Sequence, residues 1–174
     1  VELIRNLVNA FSDFARFPSA NRQPCDLVPI LEETVALYKE GHERIHFRLE
    51  FEGDLPIPLL SLDRQQIKQA MINLVDNAIS ALRGCGRIEI RLYHRPSEEN
   101  VQIIVGDNGP GISDVDKSHL FEPDFSTKKA GMGLGLTIVN TIVAEHDGTI
   151  RVEDNDPHGA RFCINLPIRG QART

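Results

Sequence analysis

Asn73 and Asn77 stand four residues apart in the run Asn73-Leu-Val-Asp-Asn77-Ala78. On a helix that spacing puts both amides on one face, a turn apart. Amide oxygens are hard ligands and suit Mg²⁺, which takes few protein ligands and keeps water and phosphate oxygens. Two solvent-facing asparagines would show the same spacing. A second constellation, Asp107-Asn-Gly109-Pro-Gly111, follows a hydrophobic run. A strand ending there delivers a carboxylate into a cleft, and the glycines let backbone approach a flat ligand. A carboxylate accepts but cannot donate, so it suits the exocyclic amine of adenine and disfavours the carbonyl of guanine. A plain Asn-Gly/Pro-Gly turn is the alternative.

The third constellation is Gly131-Met-Gly133-Leu134-Gly135-Leu136 at the start of a helical pattern. Unhindered N–H groups at a helix start can cradle phosphate, aided by the helix dipole. The spacing is GxGxG rather than GxGxxG, no buried strand precedes it, and no GK[ST] ending follows, so neither a dinucleotide fingerprint nor a P-loop fits. A glycine-rich hinge would read the same way. Between the second and third runs lies Phe121-Glu-Pro-Asp-Phe125-Ser-Thr127-Lys128-Lys129. Two phenylalanines four apart could anchor a lid while Lys128 reaches toward phosphate, and a loop of this length is more often functional than idle. Each run is modest alone; their order and intervals make them strong together.

These residues need elements to hold them. Apolar residues at Leu3, Ile4, Leu7, Val8, Phe11, Phe14 and Ala15 predict an amphipathic helical arm over 3–17, stopped by Pro18, with 18–24 as linker. Residues 27–40 predict a helix, and Ile45, Phe47, Leu49 and Phe51 alternate with polar residues as in a half-buried strand. A short strand at 59–62 precedes a long helix capped by Asp63, with Ile67, Ala70, Met71, Leu74, Ala78 and Ala81 on its buried face. Strands at 87–94 and 101–105, an irregular stretch over 106–131, a helix at 134–146, and strands at 149–153 and 161–166 complete the chain. The expected fold is α+β: a two-layer sandwich, with a mixed, mostly antiparallel sheet packed on helices.

The chain has 174 residues, 41% hydrophobic and 25% charged, as suits one domain plus an appendage. Its net charge of −6 argues against nucleic acid as a partner, although a nucleotide could bind through local donors. No apolar run approaches the roughly 18–20 residues of a membrane span, and no signal peptide is visible. Val1 in place of Met points to a piece of a longer chain, whose unseen part could carry a span. Cys25, Cys85 and Cys163 are odd in number and form no CxxC, as expected of free thiols in a reducing cytoplasm.

The four runs together resemble the catalytic domain of sensor histidine kinases, within the gyrase/Hsp90/histidine kinase/MutL ATPases. Residues 73–78 resemble the N box, 107–111 the first G box, 121–125 the F box and 131–136 the second G box, and the surrounding elements fit over about 25–167. The run Phe11-Ser-Asp-Phe-Ala-Arg-Phe-Pro18 looks like the second dimerisation helix of nitrogen-regulation kinases of the NtrY/NtrB type. The resemblance implies a Bergerat-type fold in three parts: 1–18 the end of a dimerisation helix, 19–24 a linker, and 25–170 the catalytic domain.

It further implies an ATP site with Mg²⁺ on Asn77, adenine on Asp107 with Gly109 and Gly111, and phosphates on Thr127, Lys128, Gly131, Gly133, Leu134, Gly135 and Leu136. Asn73 and Lys128 take the catalytic roles. Hydrolytic relatives place a glutamate base where Asn73 stands, and asparagine accepts no proton at neutral pH. Such a site suits transfer to imidazole, with catalysis by positioning and charge neutralisation.

The implied partners are a dimerisation and histidine-phosphotransfer domain, a response-regulator receiver aspartate and a second copy in a homodimer. The accepting histidine is expected outside this chain, in a cytoplasmic part of a sensor. Two positions depart from the pattern: Ser80 where many members have lysine, and Ala160 where a threonine often supports the adenine aspartate. They motivate the rival reading, a degenerate nucleotide-binding or interaction module without transfer activity. His42-Glu-Arg-Ile-His46 matches HExxH, but that chemistry needs a helix. On the expected strand, residues four apart are roughly 13 Å apart, too far for one zinc.

Overall fold

A computed structural model describes residues 19–95, 97–122 and 134–168. Strand β1 (Gln23–Cys25) leads to helix α1 (Leu27–Lys39), β2 (Ile45–Gly53) and β3 (Leu60–Leu62). Helix α2 (Arg64–Leu82) follows, then β4 (Gly86–His94), β5 (Asn100–Asp107) and the short α3 (Asp114–His119). Helix α4 (Gly135–Glu145) and strands β6 (Thr149–Asp154) and β7 (Ala160–Pro167) finish the described chain.

The main sheet has the order β2-β4-β5-β7-β6. Only β2 and β4 run parallel, because α2 crosses between them; the remaining pairs are antiparallel. Alternation decides which face is buried. Ile88, Ile90 and Leu92 of β4 and Phe162, Ile164 and Leu166 of β7 pack toward α1, α2 and α4, in one core with Leu31, Met71, Leu74 and Ile142. The opposite face carries ion pairs across strands, including Arg48 with Glu89 at 3.7 Å and Arg161 with Glu153 at 2.7 Å. The two-layer α+β sandwich expected from the sequence is therefore present.

Three features differ from the sequence expectation. Gln23 and Pro24, read as linker, belong to β1, which pairs antiparallel with β3 in a separate two-stranded sheet. The stretch after Gly106 contains α3, capped by the Ser113 side chain accepting from the Asp116 N–H. Ala81 is half-buried, and the core face of α2 takes Val75 and Leu82 instead. The helical arm over 3–17 lies outside the described residues.

Candidate nucleotide site

Helix α2 carries the asparagines. Asp63 caps it, its Oδ1 accepting from the Gln65 and Gln66 N–H groups at 3.0 and 3.1 Å. Its apolar stripe is fully in the core, which leaves Asn73 and Asn77 half-buried on another face. Asp76, between them, turns to α1 and accepts from the Tyr38 hydroxyl at 2.7 Å. Burial and the facing Asp76 carboxylate push that phenol well above its usual range, so it stays a donor.

Successive turns of one α2 face meet the two glycine segments. The Asn73 Nδ2 donates to the Gly135 carbonyl at 3.4 Å, at the first residue of α4. Two turns along, Gly109 lies so close to Ala81 that an added Cβ would be 3.3 Å from the Ala81 methyl. Asn77 lies between. At 1.5 Å rise per residue, Asn73 and Ala81 are about 12 Å apart along the axis, the length scale of a nucleoside triphosphate.

At the Ala81 end stands Asp107, only 5% exposed. Its Oδ1 accepts from the Gly109 N–H at 2.8 Å. Burial pushes its carboxyl above the usual range, opposed by hydrogen bonds from the Gly109 and Ala160 N–H groups. The Gly109 donor uses only part of a carboxylate's acceptor capacity, leaving room for an amine. Gly111 adopts φ +80, which a side chain disfavours. Beside this turn an open hollow of ≈ 460 Å³ is lined by Gly111, Ile112, Asn155, Pro157 and His158 among others.

At the Asn73 end, α4 begins at Gly135, and among the described residues no side chain caps it. An added Cβ on Gly135 would meet nothing within 4 Å among the described residues. Uncapped N–H groups beside open space are what a phosphate requires. Leu134 and Leu136 flank that start, half-buried. Phe121 packs edge-on against Phe162 at 6.5 Å, and the Thr137 hydroxyl donates to the Phe121 carbonyl at 3.4 Å, so Phe121 is tied to β7 and α4. Phe125, Thr127, Lys128, Gly131 and Gly133 lie outside the described residues. Ser80, at the lysine position, hydrogen-bonds back to the Asp76 carbonyl at 2.8 Å.

The histidines serve the scaffold. His42 sits in a turn, its Nδ1–H donating to the Tyr38 carbonyl at 3.0 Å, and His46 is on β2, so HExxH forms no helix. Among the described residues no group of three or more His, Cys, Asp and Glu could hold a metal. His146, 1% exposed, is more consequential. Its Nδ1–H donates to the Ile142 carbonyl at 2.7 Å and its Nε2 accepts from the Asp63 N–H at 2.9 Å, joining the end of α4 to the start of α2.

The Asp63 bond needs a neutral, accepting Nε2, and burial depresses the ring's basicity, with Arg22 adding to the effect while the Ile142 carbonyl, Asp63 and Glu145 oppose it. The unfolded chain therefore binds a proton that the folded chain refuses. Stability must rise with pH through the ordinary histidine range near 6.5 and fall below it. His146→Gln is expected to flatten the decline in melting temperature between about pH 7 and pH 5. Parallel melting curves for the two proteins over that range would exclude this role.

The chain is similar to proteins already known. The family model described as histidine kinase-, DNA gyrase B-, and HSP90-like ATPase matches residues 62–170. The chain belongs to that family, as an ATP-binding domain of the sensor histidine kinase type. The signal transduction histidine-protein kinase AtoS of Escherichia coli (strain K12) is 32% identical over 174 residues, covering 98% of this chain and 28% of AtoS. The nitrogen regulation protein NtrY of Azorhizobium caulinodans is 34% identical over 175 residues, 97% of this chain and 22% of NtrY. The chain thus spans about a quarter of the length of these relatives.

Among solved structures, the catalytic domain of histidine kinase ThkA superposes with TM-score 0.74 at 33% identity, covering 84% of this chain and 95% of that one. ThkA in complex with response regulator protein TrrA superposes at 0.75 and 27% identity, over 95% of this chain and 48% of that one. Among the described residues no helix is long and apolar enough to cross a membrane.

Proposed function

We propose that this domain binds ATP with Mg²⁺ along the Asn73–Ala81 face of α2 and donates the γ-phosphoryl to a histidine on a dimerisation hairpin of the intact protein. From there it passes to an aspartate of a response regulator. The observation that carries the reading is the two-turn Asn73–Ala81 face itself. It meets the Asp107–Gly109 turn at one end and the uncapped start of α4 at the other, with an amide between them.

Adenine would sit against Asp107, and the phosphates at Leu134, Gly135 and Leu136 with Thr127, Lys128, Gly131 and Gly133 of the lid. Asn77 would hold the cation, which supplies charge neutralisation for the transferring group. Asn73 accepts from the Gln69 amide at 3.2 Å and donates to Gly135, so it orients the site and takes no proton from water. That absence of a base favours transfer over hydrolysis and supports a kinase over an ATPase. The degenerate-module reading draws on Ser80 and Ala160. A homodimer in the intact protein and a cytoplasmic location belong to the same proposal.

Calorimetric titration with a non-hydrolysable ATP analogue tests it. Binding is expected with Mg²⁺ and at least about tenfold weaker with a chelator, since roughly 1.4 kcal/mol of phosphate neutralisation is lost. In the same preparation γ-labelled ATP should leave no acid-labile label on this chain alone. Metal-independent binding, or self-labelling, would refute the arrangement.

A further inference from the structure

The β6–β7 hairpin loop belongs to none of the four motif runs, yet it grips the turn that carries Asp107. The β5–β7 ladder ends at the Gly106–Arg161 pair, one residue short of Asp107. Where it ends, the Asn155 Nδ2 donates to the Asp107 carbonyl at 2.8 Å. Asn155 is itself fixed, its backbone N–H donating to the Gly159 carbonyl at 3.0 Å. Gly106 makes room for it: an added Cβ there would lie 3.1 Å from the Asn155 Nδ2. Nearby, the His158 Nδ1–H donates to the Gly109 carbonyl at 3.3 Å. The side-chain amide thus continues the sheet by one hydrogen bond at the residue where recognition is proposed.

We propose that Asn155 is a positioning residue for adenine recognition, holding the Asp107 peptide so that its carboxylate keeps a set depth and direction. The inference rests on the reading of Asp107 as the adenine ligand. Rotation of an untethered peptide at a strand end swings the Cα–Cβ bond, and small misplacements of a recognition group weaken binding steeply. The plainer role for an asparagine in such a loop is to shape the turn. The two roles differ in what they do to ligands lacking the adenine amine.

The test compares ATP with purine riboside 5′-triphosphate, which lacks the exocyclic amine, both with Mg²⁺. Binding to the unaltered chain, Asn155→Ala and the near-isosteric Asn155→Leu is measured by calorimetry. Both variants are expected to lose about tenfold in ATP affinity, as one net hydrogen bond's worth of ordering is lost. Their affinity for purine riboside triphosphate should stay within about twofold. Equal weakening of both ligands would mean that Asn155 only shapes the hairpin, and no change in either would remove it from recognition altogether. If the unaltered chain binds both ligands equally, Asp107 does not read the amine, and that reading falls together with the inference.

Discussion

Asp107→Asn is expected to lower ATP affinity by about 100-fold while leaving the fold intact. The carboxylate already accepts from the Gly109 N–H and, on the proposed reading, would accept again from adenine. An amide offers one accepting oxygen to these donors and turns its NH₂ toward the rest. Losing a hydrogen bond to a charged group costs about 2–3 kcal/mol, and every 1.4 kcal/mol is tenfold in affinity. GTP binding should not fall in parallel, because the amide can donate to the guanine carbonyl.

Stability moves the other way with pH. Burial raises the folded-state pKa of Asp107, so its stabilising contribution is complete below the unfolded value and fades as pH rises through the folded one. At neutral pH the parent therefore carries a buried charge that the asparagine variant lacks. Melting temperatures of both proteins at pH 7 and pH 4.5 should shift in favour of the parent on acidification. Calorimetry showing ATP and GTP weakened equally would remove Asp107 from base recognition. Melting curves that stay parallel would show that the buried charge has no cost.

Gly159→Ala should be far more destabilising than a single methyl suggests. Gly159 has φ +114, and an added Cβ would stand 1.9 Å from the Asp107 carbonyl oxygen and 3.0 Å from the Asn108 Cα. Both obstacles are backbone, so no rotamer change relieves them. Backbone strain alone costs about 1–2 kcal/mol. Displacing the Asp107 turn should bring the total to about 4 kcal/mol or more. At about 2–4 °C per kcal/mol for a domain of this size, the melting temperature should drop by roughly 10 °C.

Gly84→Ala is the control. It shares the positive φ, at +102, but meets nothing within 4 Å. It should lose about 1–2 kcal/mol and keep its nucleotide affinity. Gly159→Ala, assayed well below its melting point, should still bind ATP poorly, because the methyl pushes on the residue proposed to read adenine. Similar losses of stability in the two variants would mean that the hairpin yields easily, and the tight apposition of Gly159 to Asp107 would then carry no weight.

The sequence by itself determined the elements and the order of the site. Alternation in 45–51 and 87–94, the Asp63 cap and the apolar stripe of α2 are local signals, set by backbone geometry and by which side chains avoid water. The two asparagines a turn apart and the carboxylate at a strand end were legible for the same reason. What the tertiary structure decided is where those pieces meet. That β3 leaves the main sheet to pair with β1 depends on edges far apart in the chain, which no local period encodes. That Ala81 receives Gly109, and Asn73 receives Gly135, follows from how α2 crosses the sheet. The roles of Asn155 and His146 were invisible for a related reason: each is made by hydrogen bonds to groups 48 and 83 residues away, and only packing brings them within 3 Å.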